Sequence, residues 1–216
     1  MLNMPKVDLK TLRNRLLMQR EVFSQTPEGI SCLDSITSHL SRALSTELAR
    51  LESIALYWPI REEIDLRDTL LTWASASPHR HLALPVTRAD RHLDFYAWGN
   101  GDHLVPNQYG IPEPDLGHTN SKRIEPDCIL IPCVGWLLDH SAHRPKQREH
   151  FWRLGYGGGF FDRTLAQVRQ HKPTVLCIGV GFDWQALDPK EWQPAAHDEP
   201  LDAMLTESGL HHPQRN

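Results

Sequence analysis

The sequence predicts an α/β protein of three α/β/α layers, with a mostly parallel, partly mixed central sheet preceded by N-terminal helices. Short apolar runs alternate with helix-length segments along most of the chain. Two of these runs, CILIPCV and TVLCIGV, are apolar on both faces, as strands are when helices cover each side. The length of 216 residues, 40% hydrophobic and 23% charged, suffices for one medium domain with a real core.

The elements follow in order. Leu9, Leu12, Leu16 and Phe23 keep helical spacing, with Arg13, Arg15 and Arg20 on other faces. Leu33, Ile36, Leu40, Leu44 and Leu48 define a second helix, and Pro27–Gly29 separates the two. Strands are expected at Ser53–Trp58, His81–Val86, Leu93–Trp98, Cys128–Val134, Thr174–Val180 and Ala203–Thr206. Leu66–Ala76 is helical between the first two. Phe161–His171 is helical between the fourth and fifth, with Phe161, Leu165 and Val168 on one face and Pro173 as its stop. Only a short polar stretch divides the second and third runs, which predicts a hairpin. No repeat or low-complexity tract interrupts the pattern, so residues 1–216 read as a single domain. The one compositional break is basic and nearly free of aliphatic residues, and it reads as a loop insertion over about residues 139–152. Trp136 and Trp152 flank it and are expected to pack beneath it.

Charge and composition exclude several functions. Lys plus Arg is 23 against 27 Asp plus Glu, a formal net charge of −4, which disfavours a coat for nucleic acid or an anionic membrane. No run reaches the roughly 18 apolar residues of a membrane span, and Met1–Lys10 lacks the apolar block of a secretory signal. Cys32, Cys128, Cys133 and Cys177 form no close CxxC pair, which predicts reduced thiols rather than disulfides or a zinc site. These features point to a soluble protein of a reducing compartment. His140 and His143 share a polar loop with no nearby cysteine or third ligand, so surface histidines are expected there.

The segment with the most chemistry is Arg153-Leu154-Gly155-Tyr156-Gly157-Gly158-Gly159-Phe160-Phe161-Asp162-Arg163. Its glycines let backbone approach a ligand closely, and the helix that follows offers free N–H groups and a positive dipole end, which suits a polyphosphate. Arg153 and Arg163 flank the loop with fixed positive charge. The pattern is neither GxxxxGK[ST] nor GxGxxG, because the chain has no Gly-Lys pair and Phe160 stands where the last glycine should be. A glycine-rich turn with no ligand fits the bare pattern too.

RLGYGGGFFDR resembles the nucleotide loop of the 5-formyltetrahydrofolate cyclo-ligase (5,10-methenyltetrahydrofolate synthetase) family, in which an RLGxGxGYYD segment follows a strand. Further matches run in the family's order: Leu12-Arg13, Glu63-Ile64-Asp65, Leu84-Pro85-Val86, the segment Tyr109 to Pro114, Pro126-Asp127, Gln185, His197-Asp198 and Leu201-Asp202. The resemblance spans about Lys10 to Glu207. It implies a single-domain, cytoplasmic α/β enzyme that uses ATP and Mg²⁺ to turn 5-formyltetrahydrofolate, polyglutamylated forms included, into 5,10-methenyltetrahydrofolate, with no obligate protein partner. In that chemistry the γ-phosphoryl group moves to the formyl oxygen, N10 attacks the activated carbon, and phosphate leaves.

The resemblance also implies roles. Thr11, Leu12, Arg13, Asn14 and Arg15 would hold the nucleotide from the first helix, together with Arg153, Leu154, Gly155, Tyr156, Gly157, Gly158, Gly159, Phe160 and Phe161. Arg153 and Gly157 are the catalytic candidates: charge neutralisation by the first, close approach of the formyl oxygen at the second. Ile60, Glu63, Asp65, Tyr109, Tyr156, Gly157 and Gly158 are the folate candidates; strand phase decides between Glu63 and Asp65 and leans to Asp65. Asp162 and Asp198 are the Mg²⁺ candidates, although an Asp in a first helical turn also serves the dipole without any metal.

The chain departs from the pattern in places. Residues His140 to Trp152 replace a short turn before Arg153, FFD replaces YYD, and Gly158 stands where some members carry lysine. An altered loop leaves two rivals open: a catalytically weak ATP- or folate-binding regulator, and an ATP-dependent enzyme for another amide.

Overall fold

The computed structural model describes residues 8–117, 122–139 and 149–214. The histidine pair 140/143 and the basic residues Arg144, Lys146 and Arg148 lie outside them.

Helix α1, Leu9–Phe23, is capped by Asp8, whose carboxylate accepts the N–H groups of Lys10 and Thr11. Helix α2, Pro27–Ser45, starts behind Thr26, whose hydroxyl accepts the Gly29 N–H. Pro27 therefore opens the second helix as its first residue rather than separating the two, because a missing N–H costs nothing in a first turn. Strand β1, Ser53–Ala55, leads through α3, Arg67–Ser75, to β2, His81–Thr87, and the antiparallel β3, Leu93–Trp98. A small ladder of β4, Leu104–Pro106, and β5, Pro112–Pro114, follows. After β6, Cys128–Pro132, come an antiparallel hairpin of β7, Gly135–Asp139, and β8, His150–Leu154, then α4, Phe160–His171. The chain closes with β9, Leu176–Val180, β10, Ala203–Thr206, and β11, Gly209–His211.

Seven strands form the main sheet in the order β11-β10-β9-β6-β1-β2-β3. Neighbours from β10 to β2 run parallel, and the edge strands β11 and β3 run antiparallel. This is the expected mostly parallel, partly mixed sheet. Alternation along β6 shows how it is covered. Cys128 and Leu130 join a core with Ile36 and Leu40 of α2 and Leu70 of α3, while Ile129 and Ile131 join a second core with Leu165 of α4. A third cluster packs Leu12, Leu16 and Leu17 of α1 against Leu137, Trp152 and Leu154 of the hairpin.

Part of the expected insertion is strand: Asp139 pairs with His150 and Leu137 with Trp152 in the hairpin ladder, so Asp139 belongs to β7 and residues 150–152 to β8, while residues 140–148 lie outside the described residues. Trp152 is buried against α1. The two small ladders were not expected from sequence; β4 and β5 are only three residues each and carry three prolines at their ends, too little signal to stand out. All four cysteines are unbridged thiols, three of them buried. Among the described residues no helix is long and apolar enough to cross a membrane.

The topology dictates where a ligand fits. From β1 the chain moves through α3 to β2 on one side, whereas β6, β9 and β10 lie on the other. Sheets of this kind leave a crevice beyond the carboxyl ends of the strands where the order reverses. Here that point lies between β1 and β6.

Candidate active site

A cavity of about 590 Å³ opens at that switch point. Its walls come from the segments after β1 (Tyr57, Trp58, Ile60, Glu63), the ends of β2 and β6 (Thr87, Pro132), the β4–β5 ladder (Asn107, Tyr109, Glu113) and the whole stretch Arg153 to Asp162. Asp198 and Trp192 close it from the C-terminal part.

The glycine loop follows β8 and feeds the N-terminus of α4, whose cap is Gly159 in the left-handed region at φ 68°. Gly157 is left-handed as well, at φ 95°, and a Cβ on it would stand 3.3 Å from the Arg13 guanidinium. Both positions therefore need glycine for their backbone angles. Arg13 reaches from α1 and donates from Nε to the Gly155 carbonyl at 2.8 Å, tying that helix to the loop. Arg153 is buried, and its Nη2 meets Asp162 Oδ2 at 3.0 Å, which holds the guanidinium beside the loop. Arg163 braces the loop from outside, donating to the Gly158 carbonyl.

At the other wall, Glu63 is 9% exposed. Its Oε2 accepts the Ile60 N–H at 3.0 Å and its Oε1 accepts the Tyr156 hydroxyl at 2.8 Å. Burial pushes its carboxyl above the usual glutamate range, although these bonds and the Arg20 and Arg153 charges pull the other way. Asp65 behaves differently. It forms a bidentate pair with Arg67 on the surface and does not line the cavity, so Glu63 is the carboxylate that faces the ligand space. Strand phase cannot choose between the two, because Arg61 and Glu62 both adopt positive φ, at 47° and 59°, and the segment is a turn. Ile60 and Tyr109 line the cavity, Tyr109 packing edge-on to Phe160 with ring centres 5.8 Å apart.

From α1 the structure brings Arg13 to the cavity and leaves its expected neighbours outside. Leu12 is buried in the third core, Thr11 donates its N–H and hydroxyl to the Asp8 cap, Arg15 pairs with Glu191, and Asn14 does not line the cavity. Successive helical residues point about 100° apart, so a five-residue stretch cannot face one ligand. Leu154, Gly155, Tyr156, Gly157, Gly158, Gly159, Phe160 and Phe161 all line the cavity. Two motif residues outside it are brackets of the fold. Gln185 is buried and donates to the Cys133 and Val134 carbonyls, and Asp127 ties Ser53 to Lys172.

Sequence reasoning gave no role to several wall residues, Asn107, Glu113 and Trp192 among them, and two further cases are instructive. Trp58 lines the cavity with the Arg67 guanidinium 4.1 Å from its ring centre; an aromatic directly after a parallel strand was the available signal. Arg20, placed on a polar face, is 2% exposed. Its four-residue spacing from Leu12 and Leu16 puts it on their buried stripe.

Asp162 and Asp198 line the same cavity. Each uses Oδ2 within the protein, for Arg153 and for the Ala195 N–H respectively, and neither Oδ1 accepts a hydrogen bond among the described residues. No group of three or more His, Cys, Asp or Glu is set for a metal among the described residues. Two carboxylates without a third protein ligand fit a hard cation such as Mg²⁺, which fills its shell with phosphate oxygens and water.

Comparison with known proteins settles the family. The family model described as the 5-formyltetrahydrofolate cyclo-ligase family matches residues 5–207. The chain belongs to the 5-formyltetrahydrofolate cyclo-ligase family. Among relatives, it is 30% identical to the 5-formyltetrahydrofolate cyclo-ligase of Haemophilus influenzae over 176 residues, covering 79% of this chain and 83% of that protein. The enzyme of the same name from Mycoplasma pneumoniae is 26% identical over 182 residues, 84% of this chain and 90% of that one. Two solved structures share the fold. The 5,10-methenyltetrahydrofolate synthetase of Mycoplasma pneumoniae superposes with a TM-score of 0.67 at 22% identity, covering 93% of this chain and 99% of that one. The solution structure of the Aquifex aeolicus 5,10-methenyltetrahydrofolate synthetase gives 0.67 at 23%, covering 94% and 92%. The expected family and fold class are both borne out.

Proposed function

We propose that this chain is an ATP- and Mg²⁺-dependent 5-formyltetrahydrofolate cyclo-ligase that forms 5,10-methenyltetrahydrofolate and releases ADP and phosphate. One observation carries the reading: a single cavity sets a glycine loop at a helix N-terminus, with Arg13 and Arg153, against a wall made by Ile60, Glu63 and Tyr109.

The loop N–H groups between Gly155 and Phe160 bind the triphosphate, and Arg13 and Arg153 balance its charge. Asp162 keeps Arg153 from swinging away, so its charge is in place before reaction. Glu63 accepts N–H donors from the pterin edge, while Ile60, Trp58 and Tyr109 cover apolar ring surface. The substrate is thereby turned with its formyl oxygen toward Gly157, where no Cβ blocks approach. Phosphoryl transfer to that oxygen makes it a leaving group; N10 then bonds to the formyl carbon and phosphate departs. Mg²⁺, held by Asp162 and Asp198, would supply charge neutralisation on the phosphates.

The test is direct. Purified protein with Mg-ATP and 5-formyltetrahydrofolate should produce the near-ultraviolet absorbance of the methenyl product, dependent on both ATP and Mg²⁺. Binding of both substrates without product would leave a regulatory binding protein, and ATP binding with indifference to folates would leave an enzyme for another amide.

A further inference from the structure

Arg20 sits on the apolar stripe of α1, where an arginine is costly unless every donor is used. Each of its three nitrogens donates one hydrogen bond: Nε to the Arg61 carbonyl at 3.1 Å, Nη1 to the Cys133 carbonyl at 3.3 Å, and Nη2 to the Tyr156 hydroxyl oxygen at 2.6 Å. The niche beside it, lined by Tyr57, Glu63, Cys133 and Gln185, has no room for a water molecule to replace any of these bonds.

Bond polarity follows from the chemistry of the groups. A guanidinium has donors only, so Tyr156 must accept from Arg20. Its own proton is then directed to the Glu63 Oε1, 2.8 Å away. The Ile60 N–H takes Oε2, and the carboxylate is fixed at both oxygens. Each member has one role and no alternative.

We propose that Arg20 is a positioning residue for the folate wall: through the one-way chain Arg20→Tyr156→Glu63 it holds Glu63 as an oriented acceptor for the N–H edge of the substrate. This rests on the reading of the cavity as a reduced-folate site, and assigns Arg20 a part in it although the side chain does not line the cavity.

The groups facing Glu63 support a pH signature. Burial raises its carboxyl pKa, whereas Arg20 of α1, Arg153 of β8 and the hydroxyl of Tyr156 lower it. The other neighbours stay neutral: burial pushes the Cys133 thiol up to about 12 and the Tyr57 and Tyr156 hydroxyls above their usual range. Glu63 is thus the carboxyl of this cluster whose charge answers to Arg20. Losing the Arg20 charge must move it upward.

The experiment compares wild type with Arg20→Met, Arg20→Lys and Tyr156→Phe, measuring steady-state kinetics with both substrates across acid to neutral pH. Arg20→Met should raise KM for 5-formyltetrahydrofolate about ten- to a hundredfold, the usual range for a lost charge-assisted hydrogen bond, with KM for ATP within about twofold. The acid limb of kcat/KM should shift to higher pH. Arg20→Lys should return the limb toward wild type by restoring charge, while recovering only part of the affinity. A folded Arg20→Met with unchanged folate KM and unchanged limb would overturn the proposal, as would equal losses for ATP and folate. If Arg20→Met does not fold, Tyr156→Phe decides. Arg20→Lys added to Tyr156→Phe should cost no further folate affinity, and additive losses would refute the chain. Wild type that neither binds nor converts 5-formyltetrahydrofolate overturns the functional reading and this inference together. Conversion by wild type with insensitive Arg20 variants overturns this inference alone.

Discussion

The two ends of the cavity are built by different means. The end beside α4 is built from main chain: left-handed glycines and helix N–H groups, with two arginines adding charge. The end beside β1 is built from side chains: one buried carboxylate held by a tyrosine and a backbone N–H, under aromatic cover. The first end fails when an atom is added, and the second fails when an acceptor is lost. Damage at either should therefore leave binding at the other nearly intact.

The largest expected effect breaks the first end. Gly157→Val puts a branched side chain at φ 95° and against Arg13. With two or more charge-assisted phosphate contacts displaced, ATP affinity should fall by at least about a hundredfold. Isothermal titration should still detect the folate, and unchanged ATP binding in the folded variant would remove the loop from the nucleotide site.

Glu63→Gln comes next and attacks the other end. The amide keeps the shape, loses the charge, and turns one acceptor into a donor facing the Ile60 N–H or Tyr156. We expect kcat/KM for the folate to drop about ten- to a hundredfold while ATP titrations stay within about twofold. Comparable losses for both ligands would show that the ends are not separable.

The pH profile sharpens the same contrast. Because burial raises the Glu63 carboxyl, kcat/KM should fall with acid at a pH above the ordinary glutamate range, and Glu63→Gln should flatten that limb. A profile governed by an ordinary carboxylate would assign the limb to another group.

The smallest effect belongs to Asp65, two residues away. Partial burial pushes its carboxyl up, but its bonds to Arg67 more than reverse this, and the net shift is downward. The sign follows: any stabilisation is present above the ordinary aspartate pKa and disappears as pH falls through the lower folded value. The pair is surface-exposed, so Asp65→Asn should change stability by less than about 1 kcal/mol. Its kcat/KM should stay within about twofold of wild type, and a loss matching that of Glu63→Gln would return Asp65 to the site.

Legibility followed the range of the interactions. The parallel sheet was readable because Ile129, Leu130 and Ile131 must all be apolar when both faces of β6 are covered. The glycine loop was readable because Gly157 and Gly159 answer to their own backbone angles. Glu63 and Asp65 were not separable, since a turn with two left-handed residues has no period to extrapolate. Arg20 was misplaced because a charged residue on an apolar stripe is normally solvent-facing, and its partners lie 41, 113 and 136 positions away in the chain.

The sequence by itself determined the layers of this protein and the chemistry of its loop, because hydrophobic period and glycine angles are local properties of the chain. Only the tertiary structure decided which carboxylate, which arginine and which face of α1 meet the cavity. Those choices depend on the reversal of strand order between β1 and β6, which gathers side chains distant in sequence around one cavity.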